Sequence, residues 1–202
     1  MKRIKVQNPN TPEAFDRLWR EDMERGRRQF DLYRFRAMMD EITRPARLRS
    51  LRIIELGAGC SEFLSFCLNH LTAAGFSVQA VGLDYSRWAM EYMRQVDPRV
   101  QWMVGDALNT GLPAGSYDAV LCGELIEHLE DPEALVLEMA RLTAPLGLFR
   151  ITTLRPELQS SDAYHVWEFQ PDDLLAMFRR HAAQAEIETV GNYLVVTGRE
   201  PR

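Results

Sequence analysis

The sequence has no apolar run near the roughly 18 residues that a membrane-spanning helix requires, and residues 1–12 lack the apolar stretch of a secretory leader. A cytoplasmic protein is expected. Cysteine is scarce: Cys60, Cys67 and Cys122 are the 3 present, odd in number and without a C-x-x-C pair. That argues against a disulfide framework and a thiolate zinc site, and it suits a reducing compartment. Positive charge is not in surplus either, with 24 Lys and Arg against 29 Asp and Glu and a formal net charge of -5. Affinity for a polyanion is built from clustered cations that neutralise phosphates, so nucleic acid is not the favoured partner, although a local basic patch is compatible with this balance.

What is present fits one ordinary globular unit: 202 residues, 46% of them hydrophobic and 26% charged. A chain of this size buries about 70% of its unfolded surface and needs no staples. Residues 1–50 read as a helical extension. Phe15, Leu18, Trp19, Met23, Phe30, Tyr33 and Ala37 recur at helical spacing, Thr11 and Pro12 supply a cap and first turn, and Gly26 is a point of breakage. Its aromatic residues pack the helix over the rest of the domain, and such an extension can also cap an acceptor pocket. Its arginines, among them Arg17, Arg20, Arg25, Arg27, Arg28, Arg34 and Arg36, alternate with Asp16, Glu21, Asp22 and Glu24, the pattern of a salt-bridged solvated face.

Residues 51–202 alternate short apolar runs with amphipathic stretches of helix length. Strands are expected at 52–56, 78–84, 100–104, 117–122, 148–153, 185–189 and 193–198, with helices at 62–74, 86–95, 132–142 and 171–180. Asp131 and Pro132 suit the N-cap and first position of the third helix. Only Val190, Gly191 and Asn192 separate the last two strands, too few for a crossover, so these form an antiparallel hairpin. The expected fold is α/β: a Rossmann-like, mostly parallel seven-stranded sheet with an antiparallel last strand and helices on both faces.

Three strand ends carry the chemistry. After the first comes Glu55-Leu56-Gly57-Ala58-Gly59-Cys60-Ser61, a small-residue turn into a helix whose free N–H groups face a ligand. Such a turn serves dinucleotides as well as other nucleosides. The second strand ends at Asp84, placed to accept from ribose hydroxyls or to cap the next helix, with Tyr85 beside it for an adenine ring. After the third stand Asp106 and Ala107, a carboxylate for an exocyclic amine and a small residue for a ring edge; an Asx turn is the alternative for Asp106.

In these stretches, and in Tyr117 to Leu129 with its Cys122-Gly123-Glu124-Leu125-Ile126-Glu127-His128 core, the chain resembles the class I S-adenosylmethionine-dependent methyltransferases from Arg52 to Thr197. The resemblance implies S-adenosylmethionine as cofactor and S-adenosylhomocysteine as product. It places Gly57, Ala58 and Gly59 around the methionine part, Asp84 at the ribose, and Asp106 with Ala107 at the adenine. Glu55 would steady the loop or the ammonium, and the Cys122 backbone would line the sulfonium side. The chain departs from the pattern at Ser61, where a third glycine often stands, and at Pro145-Leu146-Gly147, where Pro-Gly-Gly is usual.

On the acceptor side, Glu124, Glu127 and His128 would share a helical turn, and His165 falls in a long segment, 154–171, suited to a substrate loop that also holds Tyr164 and Trp167. Glu124, His128 and His165 are the candidate catalytic residues. With Glu127 they could also hold a divalent ion, a pattern that resembles metal-dependent enzymes methylating the terminal ribose 2'-hydroxyl of small RNAs. The plainer account makes the glutamates a solvated helix start and the histidines structural. A small-molecule acceptor is expected. An NAD-dependent oxidoreductase and a non-catalytic nucleoside-binding module stand as alternatives from other classes.

Overall fold

Within the central strands, successive apolar residues send side chains to opposite faces, so each strand feeds two cores. The computed structural model describes residues 1–5, 10–26, 32–39, 42, 49–159 and 164–201. In chain order it runs β1 (Lys2–Arg3), α1 (Pro12–Glu24), α2 (Leu32–Met39), β2 (Ser50–Leu56), α3 (Phe63–Ala73), β3 (Ser77–Asp84), α4 (Arg87–Val96), β4 (Gln101–Val104) and β5 (Tyr117–Gly123). A 3-10 turn (Ile126–His128) comes next, then α5 (Pro132–Leu142), β6 (Thr143–Leu154), α6 (Pro156–Gln159), β7 (Trp167–Glu168), α7 (Pro171–His181), β8 (Ala182–Val190) and β9 (Tyr193–Pro201).

The large sheet has seven strands in the order β4-β3-β2-β5-β6-β9-β8. Pairs from β4 through β6 are parallel, whereas β9 runs antiparallel to both β6 and β8. The last strand is thus the reversed one, as the tight 190–192 connection demands. Ile53, Ala119, Leu121 and Leu148 pack on one face with α2, α3 and α4 residues such as Phe35, Phe63, Cys67 and Met90. Ile54, Val120, Cys122 and Phe149 face the other way onto Leu135, Met139 and Phe178 of α5 and α7. Among the described residues no helix is long and apolar enough to cross a membrane.

Three details bear on the expectations, the second in agreement with them. The strand expected at 148–153 begins at Thr143, because pairing jumps from Tyr117↔Thr143 to Ala119↔Leu148 and the surplus residues bulge around Leu146, whose φ is 67°. At Pro145-Leu146-Gly147 the bulge keeps the second glycine of the usual pattern, since a Cβ on Gly147 would stand 2.9 Å from the carbonyl oxygens of Ala144 and Asp118, while Leu146 takes a left-handed backbone that favours glycine. Second, the N-terminal helix does break, with Gly26 at φ 68° and α2 beginning at Leu32; Arg27, Arg28 and Phe30 lie outside the described residues. Third, Arg34 is not on a solvated face. It is buried at 6% exposure, while Arg25 makes the expected surface pair with Glu21 at 3.3 Å.

Candidate cofactor site at the strand tips

The sheet order reverses between β2 and β5, and such a switch point opens a crevice at the carboxyl ends of parallel strands. The glycine turn lies there. Gly57 and Gly59 both have positive φ, 71° and 50°, a backbone shape that glycine adopts without cost. Gly57 and Ala58 donate their N–H groups to the Leu83 carbonyl at 2.8 and 3.0 Å, tying the turn to the tip of β3. The bare faces of the two glycines are occupied by side chains. A Cβ on Gly57 would stand 2.7 Å from Leu125 Cδ2, and one on Gly59 would stand 2.3 Å from Trp19 Cζ2. Ser61, where a third glycine often stands, has a job of its own: its hydroxyl accepts from the Phe63 N–H at 3.1 Å, at the start of α3.

Asp84 links two of the strand tips. One carboxylate oxygen accepts from the Gly59 N–H at 2.9 Å and the other from the Ser86 N–H at 2.8 Å. Each oxygen keeps a lone pair for a further donor. Helix α4 is capped by the Ser86 hydroxyl, which accepts from the Ala89 N–H at 3.1 Å, so Asp84 is not the cap. Burial pushes the Asp84 carboxyl up to about 6, with the Ser86 and Gly59 N–H groups working against it. Glu55, at the end of β2, is buried, and burial pushes it further, to about 8, against the opposing pull of Arg34; its Oε2 has no hydrogen-bond partner. Asp106 is exposed and accepts from the Leu108 N–H at 2.9 Å, the Asx turn that was its plainer reading, with Ala107 half-buried beside it. The Cys122 thiol is buried, which raises its pKa well above the usual thiol value.

Helix α1 lies over these tips. Asp16 accepts from the Ser86 hydroxyl at 2.5 Å and the Trp88 N–H at 3.1 Å, fixing the helix at the start of α4. One face carries Phe15 and Trp19, both buried. The Phe15 ring centroid lies 5.5 Å from that of Tyr85, 5.8 Å from His128 and 5.7 Å from Tyr164, joining the β3 tip to the two acceptor-side segments.

Residues 54–151 match the family model of a methyltransferase domain. A protein of Mycolicibacterium smegmatis named "Probable S-adenosylmethionine-dependent methyltransferase" is 34% identical over 98 residues, 48% of this chain and 37% of that protein. Over this stretch the chain is similar to the S-adenosylmethionine-dependent methyltransferases. The ubiquinone biosynthesis O-methyltransferase of Xanthomonas oryzae pv. oryzae is 31% identical over 119 residues, 57% of this chain and 48% of that enzyme. This chain thus spans less than half the length of these two relatives. Among solved structures, an S-adenosylmethionine-dependent methyltransferase from Mesorhizobium loti superposes with a TM-score of 0.65 at 18% identity, over 82% of this chain and 95% of that one, a likeness of fold.

The candidate acceptor side comprises the turn after β5 and the segment before α7. Glu124 has φ 55° and stands before the 3-10 turn, so the single helical turn expected for Glu124, Glu127 and His128 is split. Glu127, His128 and His165 nevertheless converge, each offering a ligand atom within 4.8 Å of the others; Glu124 is not in that group. Glu127 is fully buried rather than solvated, neither of its carboxylate oxygens makes a hydrogen bond of normal geometry, and burial, with Glu124 nearby, raises its pKa well above the carboxylate range. His165 Nε2 lies 3.9 Å from Glu127 Oε1, and the two histidine rings meet edge-on at 4.8 Å. His128 Nδ1 sits 3.1 Å from the Tyr164 carbonyl, which makes Nδ1 the protonated nitrogen and leaves Nε2 as the basic one in the neutral ring.

Two contributors escaped the sequence reading. The Asn10 amide donates to the carbonyls of both His128 and Tyr164, at 2.8 and 2.9 Å, an arrangement with no sequence signature. Arg34 left a trace: it precedes the buried Ala37 and Met38 by three and four residues, the spacing of one helix face.

Proposed function

We propose that this chain is an S-adenosylmethionine-dependent methyltransferase acting on a small-molecule acceptor. The observation that carries the reading is Asp84, a buried carboxylate that joins the glycine turn to the β3 tip and keeps lone pairs for two ribose hydroxyls. The donor set also suits an α-amino acid tail. Glu55 offers an unpaired acceptor for an ammonium, and Trp19 Nε1 is a buried donor without an acceptor. Glu55 and Trp19 with Gly57, Ala58, Gly59 and Cys122 would hold the methionine half, Asp84 the ribose, and Tyr85, Asp106 and Ala107 the adenine. The cofactor supplies an activated methyl on a sulfonium. The protein's own work is alignment and exclusion of water, which lowers a barrier by several kcal/mol without a covalent intermediate. Helix α1 acts here as a cover over the strand tips. Three buried, unpaired cysteines suit a reducing compartment, the cytoplasm.

A thermal-shift comparison tests this. S-adenosylhomocysteine at a hundred times its dissociation constant adds about 2.7 kcal/mol and NAD adds none; the reverse result would establish the oxidoreductase alternative. Turnover of labelled methyl donor with a panel of small-molecule acceptors, and with RNA as the contrasting class, separates an enzyme from a silent binding module.

A second reading concerns the acceptor. Buried Glu127 beside His128 and His165 favours an acceptor hydroxyl, which must lose a proton before it attacks. His128 Nε2 is placed to take that proton. A divalent ion would also fit: atoms within 4.8 Å of one another match ligand distances of about 2.1–2.4 Å to a shared centre. Bound there it would lower the hydroxyl's pKa, with Glu127, His128 and His165 as its protein ligands.

A further inference from the structure

Trp19 occupies a place that packing alone does not explain. Its ring is 8% exposed, and it covers the face of Gly59 from which a side chain is missing. The atoms nearest to a Cβ there are Cζ2 at 2.3 Å and Cε2 and Cη2 at 2.9 Å, so the benzo edge lies on the glycine turn with Nε1 one bond beyond, on Cε2. Nε1 is buried and has no hydrogen-bond partner. A buried N–H without an acceptor costs free energy, and buried tryptophans ordinarily place theirs on a carbonyl or carboxylate. Trp102 does so, donating to the Asp97 carbonyl at 2.9 Å, and Trp167 donates to the Leu129 carbonyl at 2.8 Å. Trp19 is held where it is by its own helix, because Asp16, three residues earlier, is anchored to Ser86 and Trp88.

We propose that the Trp19 indole N–H is the donor for the carboxylate of the ligand's amino acid tail, making Trp19 a residue that recognises the methionine half of the cofactor as opposed to its nucleoside. The inference rests on the S-adenosylmethionine reading and deepens it. Glu55, with its unpaired oxygen, takes the opposite charge of the same zwitterion. Recognition of the tail is thereby divided between an N–H on α1 and a carboxyl group at the end of β2.

Two ligands separate the tail from the nucleoside: S-adenosylhomocysteine, which has the amino acid, and 5'-methylthioadenosine, which does not. Titration calorimetry of wild type and Trp19→Phe is expected to show S-adenosylhomocysteine weakened about 10-fold or more, the usual worth of a hydrogen bond to a charged group, with methylthioadenosine affinity unchanged. Equal weakening of both ligands, or of neither, overturns the proposal. A second readout needs no variant: the Trp19 indole resonance in a proton–nitrogen spectrum of the whole protein moves downfield with S-adenosylhomocysteine and stays in place with methylthioadenosine. A resonance that ignores the first ligand, or follows both alike, also overturns it. Wild type that binds neither molecule refutes the nucleoside site itself, whereas unaltered binding by Trp19→Phe refutes only the role of the indole.

Discussion

Trp19 and Gly59 are complementary: the glycine has a left-handed backbone and the tryptophan ring lies where its Cβ would project. Gly59→Ala should therefore suffer twice, from the backbone and from the collision, and lose about 3 kcal/mol in urea unfolding. Gly26→Ala is the control. It shares the positive φ but meets nothing within 4 Å, so it should lose only about 1 kcal/mol. Equal losses at the two sites would mean that the ring gives way freely.

Glu55 makes the fold pH-sensitive. Its carboxyl is raised to about 8 in the folded protein, above its unfolded value of 4.5, so between those limits the folded state holds a proton that the unfolded state has released. Stability falls as pH climbs through that window. Glu55→Gln removes the cost of ionisation. It should be more stable than wild type, by a gap that opens above pH 4.5 and levels off above 8 at a few kcal/mol. The same change should weaken S-adenosylhomocysteine by removing the ammonium's partner. Parallel melting curves of the two proteins from about pH 5 to 9 would contradict the burial assigned to this group.

Asp84 predicts a pH dependence of binding. Only its ionised form offers all its lone pairs, and with its pKa near 6 that form is lost below neutrality. Affinity for S-adenosylhomocysteine should drop as pH falls from about 7 to 5. Asp84→Asn should bind about 10- to 100-fold more weakly at pH 7 and be indifferent to pH over this range. A variant that binds as well as wild type would remove Asp84 from the site.

For the Glu127, His128 and His165 cluster, manganese or magnesium should raise the melting temperature of wild type and leave that of His165→Ala unmoved. Turnover that is undiminished in a chelator would dismiss a metal there and leave His128 as the base.

Much of this architecture was legible because it obeys short-range rules. The 190–192 gap dictates the reversed last strand, Asp131 does accept from the Ala134 N–H at 3.1 Å as an N-cap, and the glycine turn sits at the end of the first long strand. The bulge at Pro145-Leu146-Gly147 was not legible, since it lies in the pairing with β5 and against the Asp118 backbone, far off in sequence. Arg34 was misread for a related reason. Charge alternation describes a helix in isolation, and only packing against the sheet decides which of its charges is submerged. Glu127 was harder still, because a buried carboxylate and a solvated one look alike until the segment holding His165 is folded over it.

The Asn10 amide grips the backbone on both sides of the acceptor region while α1, immediately after it, roofs the strand ends. On the proposed reading, one stretch of chain therefore touches both the cofactor side and the acceptor side. Removing that stretch would take away Trp19 from one side and the Asn10 clasp from the other, so a single truncation should disturb both sides together.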